Sequence, residues 1–198
     1  MMAAQSNLKN MVLCLTAVCF VCAAVLAATY AVTQEPIART AQHTLQQSLA
    51  EVLPQDTEID VQEQTLLLDG TSYSYYACTQ DGRVQGWAIR SVTAGFGGPL
   101  TLLVGVRADG TVHAAKVLSH SETPGLGAKC KEDRTFTGQF KSFDPRTRKL
   151  AVRKDGGDID AITASTITSR AYTLAVANAV KVAAALQDGT REEDPQNE

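Results

Sequence analysis

One long apolar segment near the amino terminus dominates the hydrophobic pattern of this chain. Residues Met11 to Val32 carry no charged side chain and are predominantly apolar over 22 positions. A helix of this length rises roughly 33 Å at ~1.5 Å per residue, which is enough for a hydrocarbon core of about 30 Å. The pattern therefore predicts a short amino-terminal segment over 1–10 and a transmembrane helix over 11–32.

The charges that flank the apolar segment predict its orientation. Lys9 precedes the segment and Glu35 follows it, so the positive-inside rule places the amino terminus in the cytoplasm and the main domain outside. A cleaved signal peptide is the alternative, because Ala27 and Ala28 suit a small-residue cleavage site. The apolar core of a cleavable signal is usually shorter, which favours a retained single-pass anchor.

After the anchor, the periodicity predicts first a helix and then a sheet. Residues 38–53 carry leucine and valine at helical spacing and end before Pro54, which indicates an amphipathic helix. Four strand-like segments rich in valine, threonine and aromatic residues follow, with Asp-Gly turns at 80–82 and 108–110. These predicted strands are Tyr73–Cys78, Arg83–Thr93, Leu100–Arg107 and Thr111–Leu118, and the tight turns make the sheet antiparallel.

The carboxy-terminal third returns to helix. A further strand is expected over 150–152, and an alanine-rich helix with apolar residues three to five positions apart is expected to begin near Thr168. Residues 191–198 are charged and predict a solvated tail. The fold class is therefore α+β, with one membrane helix followed by a single antiparallel-sheet domain with flanking helices over 33–190.

Charge and cysteine content narrow the function further. The net charge is −3 and the basic residues are dispersed, which excludes the electrostatic footprint of a nucleic-acid-binding protein. Histidine and cysteine spacing predicts neither zinc nor an iron–sulfur centre. Cys78 and Cys130 fall in the external domain, where they would either form a disulfide or remain free.

The segment DAITAST, from Asp160 to Thr166, is the strongest candidate for chemistry. It places hydroxyl side chains directly before a helix, whose unpaired N–H groups and positive dipole end favour an anion. Thr166 is the hydroxyl best placed to hold a phosphate. The alternative is that the serine and threonine residues only cap the helix, as such residues commonly do.

Two glycine-rich segments strengthen the first interpretation. SHSETPGLGAK, residues 119–129, has the composition of a binding loop: Glu122 and Thr123 offer polar groups, and Gly125 and Gly127 allow backbone to approach a flat ligand. AGFGGPL, residues 94–100, lies between two predicted strands. Taken alone, it is equally typical of an ordinary hairpin loop.

The order GFGGPL, HSETPGLG and DAITASTITS resembles the G subunit of the Rnf electron-transport complex, called Rsx in some bacteria. This subunit belongs to the covalent FMN-binding domain family, which it shares with the C subunit of the sodium-translocating NADH:quinone reductase. The resemblance extends from the membrane anchor to the last helix. It implies a single-pass protein of the bacterial inner membrane with its main domain on the periplasmic, extracytoplasmic side.

The resemblance implies FMN joined by a phosphoester bond to the last threonine of an Asp-x-x-Ser/Thr-Gly-Ala-Thr pattern. Asp160 takes the acidic position, Thr163 the first hydroxyl position and Thr166 the flavin-bearing position, while Ala164 and Ser165 stand where the family has glycine and alanine. Ser165 and Thr163 are therefore competing acceptors. The flavin loop implied by the resemblance consists of Glu122, Thr123, Gly125, Leu126 and Gly127, with Glu122 and Thr123 either binding polar ring atoms or ordering the loop.

By resemblance the chain is an electron carrier in a ferredoxin- and NAD-linked complex that moves ions, and it does not complete a reaction alone. The implied partners are the other membrane and iron–sulfur subunits and a flavin transferase that uses FAD. Lys129 and Arg170 are candidates to offset the phosphate charge. Two alternatives are a membrane-anchored extracytoplasmic binding module without a cofactor, and a hydrolase with a Ser165 or Thr166 nucleophile, for which the chain offers no convincing base.

Overall fold

The structure, a computed structural model, describes residues 8–53, 58–59, 62–80 and 83–189. These residues separate into two compact units, with the division between Thr44 and Leu45. The predicted tail over 191–198 and the first seven residues lie outside the described part. So do Pro54 and the two residues, Asp81 and Gly82, of the first predicted turn.

Helix α1, Leu8–Val52, is continuous through both of the predicted amino-terminal helices. Two separate helices were expected, but Pro36 lies inside one. A proline removes one backbone hydrogen bond without ending a helix whose flanking residues both keep helical geometry. The first part of α1 is long and apolar enough to cross a membrane.

The sheet is antiparallel, as expected, and in the described part of the chain it has six strands in five positions, because β1 and β2 both pair with β3. Its order is β1-β3-β4-β5-β6. The four predicted strands are confirmed as β3 to β6, each slightly longer than expected, whereas β1 and β2 were not predicted. The strands are β1 Glu58–Ile59, β2 Gln64–Leu68, β3 Thr71–Gln80, β4 Arg83–Ala94, β5 Pro99–Arg107 and β6 Val112–His120.

One face of the sheet packs against the carboxy-terminal helices. These are α2 Lys129–Glu132, α3 Arg134–Gly138 and the long α4 Thr166–Gln187, which begins two residues before the expected start. Tyr172 of α4 is fully buried between Phe136 and Phe140, with ring centroids 5.1 and 4.7 Å away. Its hydroxyl donates to the carbonyl of Ala115 on β6 at 3.1 Å, so α4 is fixed to the edge strand of the sheet.

The last turns of α1 cover the opposite face. Leu49, Val52 and Leu53 pack with a second set of buried residues that alternate with the first along the strands. Gly105 of β5 lies so close to the carbonyl of Val52 that a side chain at this position would collide with it. The second set on the strands comprises Tyr76, Cys78, Ala88 and Leu103.

The structure contradicts the expected strand over 150–152 and decides between the two states that the sequence left open for Cys78 and Cys130. No strand forms over 150–152 in the described part of the chain: Val152 makes only an isolated parallel bridge with Ile159, because the chain turns at once into a 3₁₀ helix at Arg153–Asp155. Cys78 and Cys130 are both free, since they are buried on opposite faces of the sheet. Burial raises the pKa of the Cys130 thiol to about 11.

Candidate functional site

The three sequence segments singled out above meet at one end of the sheet. The loop 94–100 joins β4 to β5, and Leu100 pairs with His120 at the end of β6, so the loop 119–129 begins beside it. Helix α4 crosses the same end, where the hydroxyl of Thr93 donates to the carbonyl of Ala171 at 3.0 Å in a buried contact. The topology thus gathers both glycine-rich loops around the start of α4.

A cleft of about 360 Å³ opens between these segments. Its lining is mainly apolar, and three large apolar side chains remain exposed there: Phe96 at 68%, Leu126 at 46% and Ile167 at 50%. Phe96 and Leu126 come from the two loops, and Ile167 comes from the first turn of α4. The remaining lining residues are Thr123, Ala164, Ser165, Thr166 and Thr168.

Glu122 lies directly behind the cleft and is only 6% exposed. Its Oε1 accepts a hydrogen bond from the backbone N–H of Phe96 at 2.8 Å, and its Oε2 accepts one from the hydroxyl of Thr168 at 2.9 Å. Its own N–H donates to Nδ1 of His120 at 3.2 Å. The carboxylate therefore joins the two loops and the first turn of α4.

The turn before α4 has an unusual backbone. Ala164 has φ of 61°, in the left-handed region that favours glycine, and Ser165 follows as the residue before the helix. Ser169 fixes this turn from within the helix, because its hydroxyl accepts from the N–H of Ile162 at 2.9 Å and donates to the carbonyl of Ser165 at 2.9 Å. The turn presents Thr166 as the first residue of a 22-residue helix.

The 3₁₀ helix Arg153–Asp155 consists of three charged residues, and each of them contacts a residue in or next to the turn before α4. Lys154 Nζ donates to Oγ1 of Thr166 at 3.3 Å. Arg153 pairs with Asp160 at 2.9 Å, and Asp155 accepts two hydrogen bonds from the guanidinium of Arg170. Arg170 is thereby held by Asp155, whose pKa it lowers, and the cation beside Thr166 is Lys154.

The predicted site residues fall into two groups. Thr123, Leu126, Ser165 and Thr166 line the cleft together, and Glu122 and Gly127 lie immediately behind it.

The second group lies away from the cleft lining. Gly125 is exposed in the loop turn with φ of 75°, Thr163 is exposed, and the carboxylate of Asp160 turns to Arg153. The backbone of Asp160 is held at both its N–H and its carbonyl by the side-chain amide of Gln139, at 2.7 and 3.1 Å.

Five residues at the cleft were not assigned a role in binding from the sequence: Phe96, Lys154, Ala164, Ile167 and Thr168. Phe96 stood within a segment already noted for its glycines, and its exposed position in a glycine loop was a usable signal. The sequence gave no signal for Lys154, because the contact of one lysine among dispersed charges cannot be predicted before the fold is known.

The lining fits a flat ligand with a phosphate at one end. The apolar side chains suit the ring, and the start of α4 with the ammonium of Lys154 suits the anion. An independent sign is the hydroxyl of Ser165, which is buried, lines the cleft and has no hydrogen-bond partner in the described structure. A buried hydroxyl of this kind ordinarily has a partner, so a polar group of a ligand would complete the site.

Comparison with known proteins gives two family matches, one at each side of residues 53–94. The FMN-binding domain family matches residues 95–181, and the RnfG N-terminal region matches residues 1–52. The G subunit of the proton-translocating ferredoxin:NAD(+) oxidoreductase complex of Clostridium ljungdahlii is 35% identical over 84% of this chain and 86% of its own length. The G subunit of the ion-translocating oxidoreductase complex of Vibrio cholerae is 38% identical over 79% and 80%.

One solved structure, the C subunit of the Na(+)-translocating NADH-quinone reductase from Parabacteroides distasonis, is similar with a TM-score of 0.44 and 24% identity. The matched region covers 62% of this chain and 65% of that chain.

Proposed function

The chain belongs to the family of the G subunits of ion-translocating oxidoreductase complexes, and from this we propose that it carries electrons on FMN covalently attached to Thr166. Its FMN-binding domain, electron-transfer role and membrane association follow from the family and from the apolar part of α1. We propose three further points: the attachment of FMN to Thr166, the redox partners, and the orientation of the chain in the membrane.

The observation that carries the proposal is the position of the Thr166 hydroxyl. It lies at the start of α4, 3.3 Å from Lys154 Nζ, on the edge of the apolar cleft. A phosphoester on this oxygen would meet the unpaired N–H groups of the first helical turn and the ammonium of Lys154. Phe96, Leu126 and Ile167 would cover the ring, and the Ser165 hydroxyl would bind a polar atom near the phosphate.

FMN would supply the electron-carrying chemistry, and the protein's part is to hold it and to exclude water around it. The covalent bond would prevent loss of the cofactor from the protein outside the cytoplasm. Attachment by a flavin transferase forms the bond from Thr166 Oγ1 to the phosphorus of the FMN half of FAD and breaks the pyrophosphate bond. AMP leaves with the electron pair, and the hydroxyl proton passes to a base.

We place the chain in the inner membrane, with residues 1–10 in the cytoplasm and the FMN-binding domain in the periplasm. Lys9 before the apolar segment supports this orientation, and Arg39 after the segment is paired with Glu35 at 2.6 Å. The C. ljungdahlii relative is named for a ferredoxin:NAD(+) reaction, and we extend this electron chain to the present complex. The sequence has no dinucleotide-binding fingerprint, so the nicotinamide and iron–sulfur sites would belong to the other subunits.

The proposal is tested by producing the full chain together with its flavin transferase. The wild-type chain should weigh one FMN more, less one water, by intact-mass measurement, and should fluoresce after denaturing electrophoresis. Thr166→Val removes the hydroxyl at nearly constant shape and should abolish both signals, whereas Thr166→Ser should retain them.

Thr163→Val and Ser165→Ala test the competing acceptors and should keep the flavin. Retention of covalent flavin in Thr166→Val would move the attachment elsewhere. A wild-type chain with the mass of its amino acids alone would contradict the electron-carrier proposal and favour the binding module without a cofactor.

A further inference from the structure

Glu122 is the one buried carboxylate that the described residues place beside the cleft, and its side chain faces away from the cleft opening. It is absent from the lining, although Phe96 and Thr168, whose groups it binds, both belong to the lining. Both of its oxygens are engaged, at 2.8 Å by a backbone N–H and at 2.9 Å by a hydroxyl. A carboxylate used in this way connects walls of the cleft rather than touching what lies inside it.

The surrounding backbone is shaped to admit this carboxylate. A side chain at Gly95 would collide with Oε1 of Glu122, and one at Gly127 would collide with Oε2 and lie 2.8 Å from Oγ1 of Thr168. The two glycines come from different loops, and each leaves room for one carboxylate oxygen. Gly127 therefore accommodates a protein side chain at a position where the sequence suggested close approach of a ligand.

We propose that Glu122 is a positioning residue that holds Phe96 and the first turn of α4 at a fixed separation, and so sets how tightly the flavin ring is enclosed. The effect on the flavin rests on the proposed function, whereas the connection between the two walls belongs to the protein alone. The side chain of Phe96 is 68% exposed, and its loop is otherwise held by the bond from the Gly95 N–H to the Gly98 carbonyl at 2.8 Å and by the contact of Gly97 with Ser121. The hydrogen bond at the Phe96 N–H is the restraint closest to the ring site.

Substitutions of Glu122 and Thr168 distinguish the effect of losing the two hydrogen bonds from the effect of losing the negative charge. In Glu122→Gln, the amide oxygen can accept from Phe96 and the amide nitrogen can donate to Thr168, so both connections persist without the charge. Glu122→Ala removes both, and Thr168→Val removes one at nearly constant shape. Glu132→Gln, at an exposed position of α2, is the matched control for the loss of one negative charge.

The first measurement is amide hydrogen exchange at Phe96 in the full chain, produced without flavin transferase. Loss of a hydrogen bond should accelerate exchange about fivefold or more in Glu122→Ala, and leave Glu122→Gln and Glu132→Gln near wild type. The Thr111 amide, which donates to Asp109 Oδ1 at 2.8 Å, is an internal reference. Unchanged exchange at Phe96 in Glu122→Ala would overturn the proposal.

The second measurement uses the flavin-loaded chain. The rate constant for quenching of native flavin fluorescence by iodide, measured on the molecules that carry covalent flavin, should rise in Glu122→Ala and, to a smaller extent, in Thr168→Val. Glu122→Gln should match the wild-type chain, and quenching as fast as in Glu122→Ala would overturn the geometric role in favour of charge. Accelerated exchange at Phe96 without any change in quenching would likewise overturn it.

A wild-type chain that carries no flavin would instead refute the proposed function, while the exchange measurement would still decide whether Glu122 joins the two walls.

Discussion

Replacing Ala164 by glycine should stabilise the protein. Ala164 has φ of 61°, and a residue with a Cβ in this left-handed region costs about 1–2 kcal/mol. Glycine removes that cost but gives the unfolded chain more freedom, which subtracts about 0.4–1 kcal/mol. The midpoints of these ranges predict a gain of about 0.8 kcal/mol in the free energy of unfolding, or about 2–3 °C in Tm for a chain of this size.

The assay is urea unfolding of the full chain in detergent, followed by Trp87 fluorescence. Ala161→Gly is the matched control, because it lies in the same segment without a positive φ. It should lose about 0.4–1 kcal/mol, so the two substitutions should differ in sign. If Ala164→Gly destabilises the protein as much as Ala161→Gly does, the strained turn before α4 is not a feature of the folded chain.

Three further outcomes follow from the same geometry. Lys154→Met should slow covalent flavin attachment about twofold to fivefold in a time course of in-gel fluorescence, because an exposed cation near an anion contributes only about 0.3–1 kcal/mol, and Lys181→Met should have no effect. Gly127→Ala should cost about 1–3 kcal/mol in urea unfolding, since its Cβ would collide with the buried carboxylate, whereas Gly138→Ala, which meets open space, should not. The Cys130 thiol has its pKa raised from 9.0 to about 11 in the folded chain, so its contribution to stability should be present below pH 9 and lost as the pH rises towards 11. Cys130→Ala should flatten that part of the stability profile, and an unchanged slope would show that another group is responsible.

Much of the fold follows from local pattern. Strands β3 to β6 combine β-branched and aromatic residues with tight turns, and the alanine-rich α4 follows a cluster of hydroxyl residues, so the sequence predicts each of them. Strand β2 was missed because Leu66 to Leu68 form a short apolar run without alternation, which is ambiguous when seen alone. The expected strand over 150–152 has suitable residues, but an isolated bridge at Val152 cannot extend where the chain turns at once.

The site was predictable only where its residues lie in distinctive segments. Thr166 was singled out by its position before a helix and the loop 122–127 by its composition, and the resemblance implied their roles in flavin binding. The fold places Thr166, Thr123 and Leu126 in one cleft. Lys154 reaches Thr166 through a turn whose shape depends on the bridge between Val152 and Ile159, which sequence spacing does not reveal. For Glu122, the sequence left open whether it would bind a ligand or order the loop, and the positions of Phe96 and Thr168 favour the second.

The packing of the last turns of α1 on the sheet determines where the membrane anchor can be removed. A truncation that starts after Leu53 would discard the cover over Tyr76, Cys78 and Leu103 and expose their apolar surface to water, which favours aggregation. A water-soluble fragment should therefore begin no later than Leu45. Limited proteolysis should likewise release a stable piece only if the cut falls upstream of that residue.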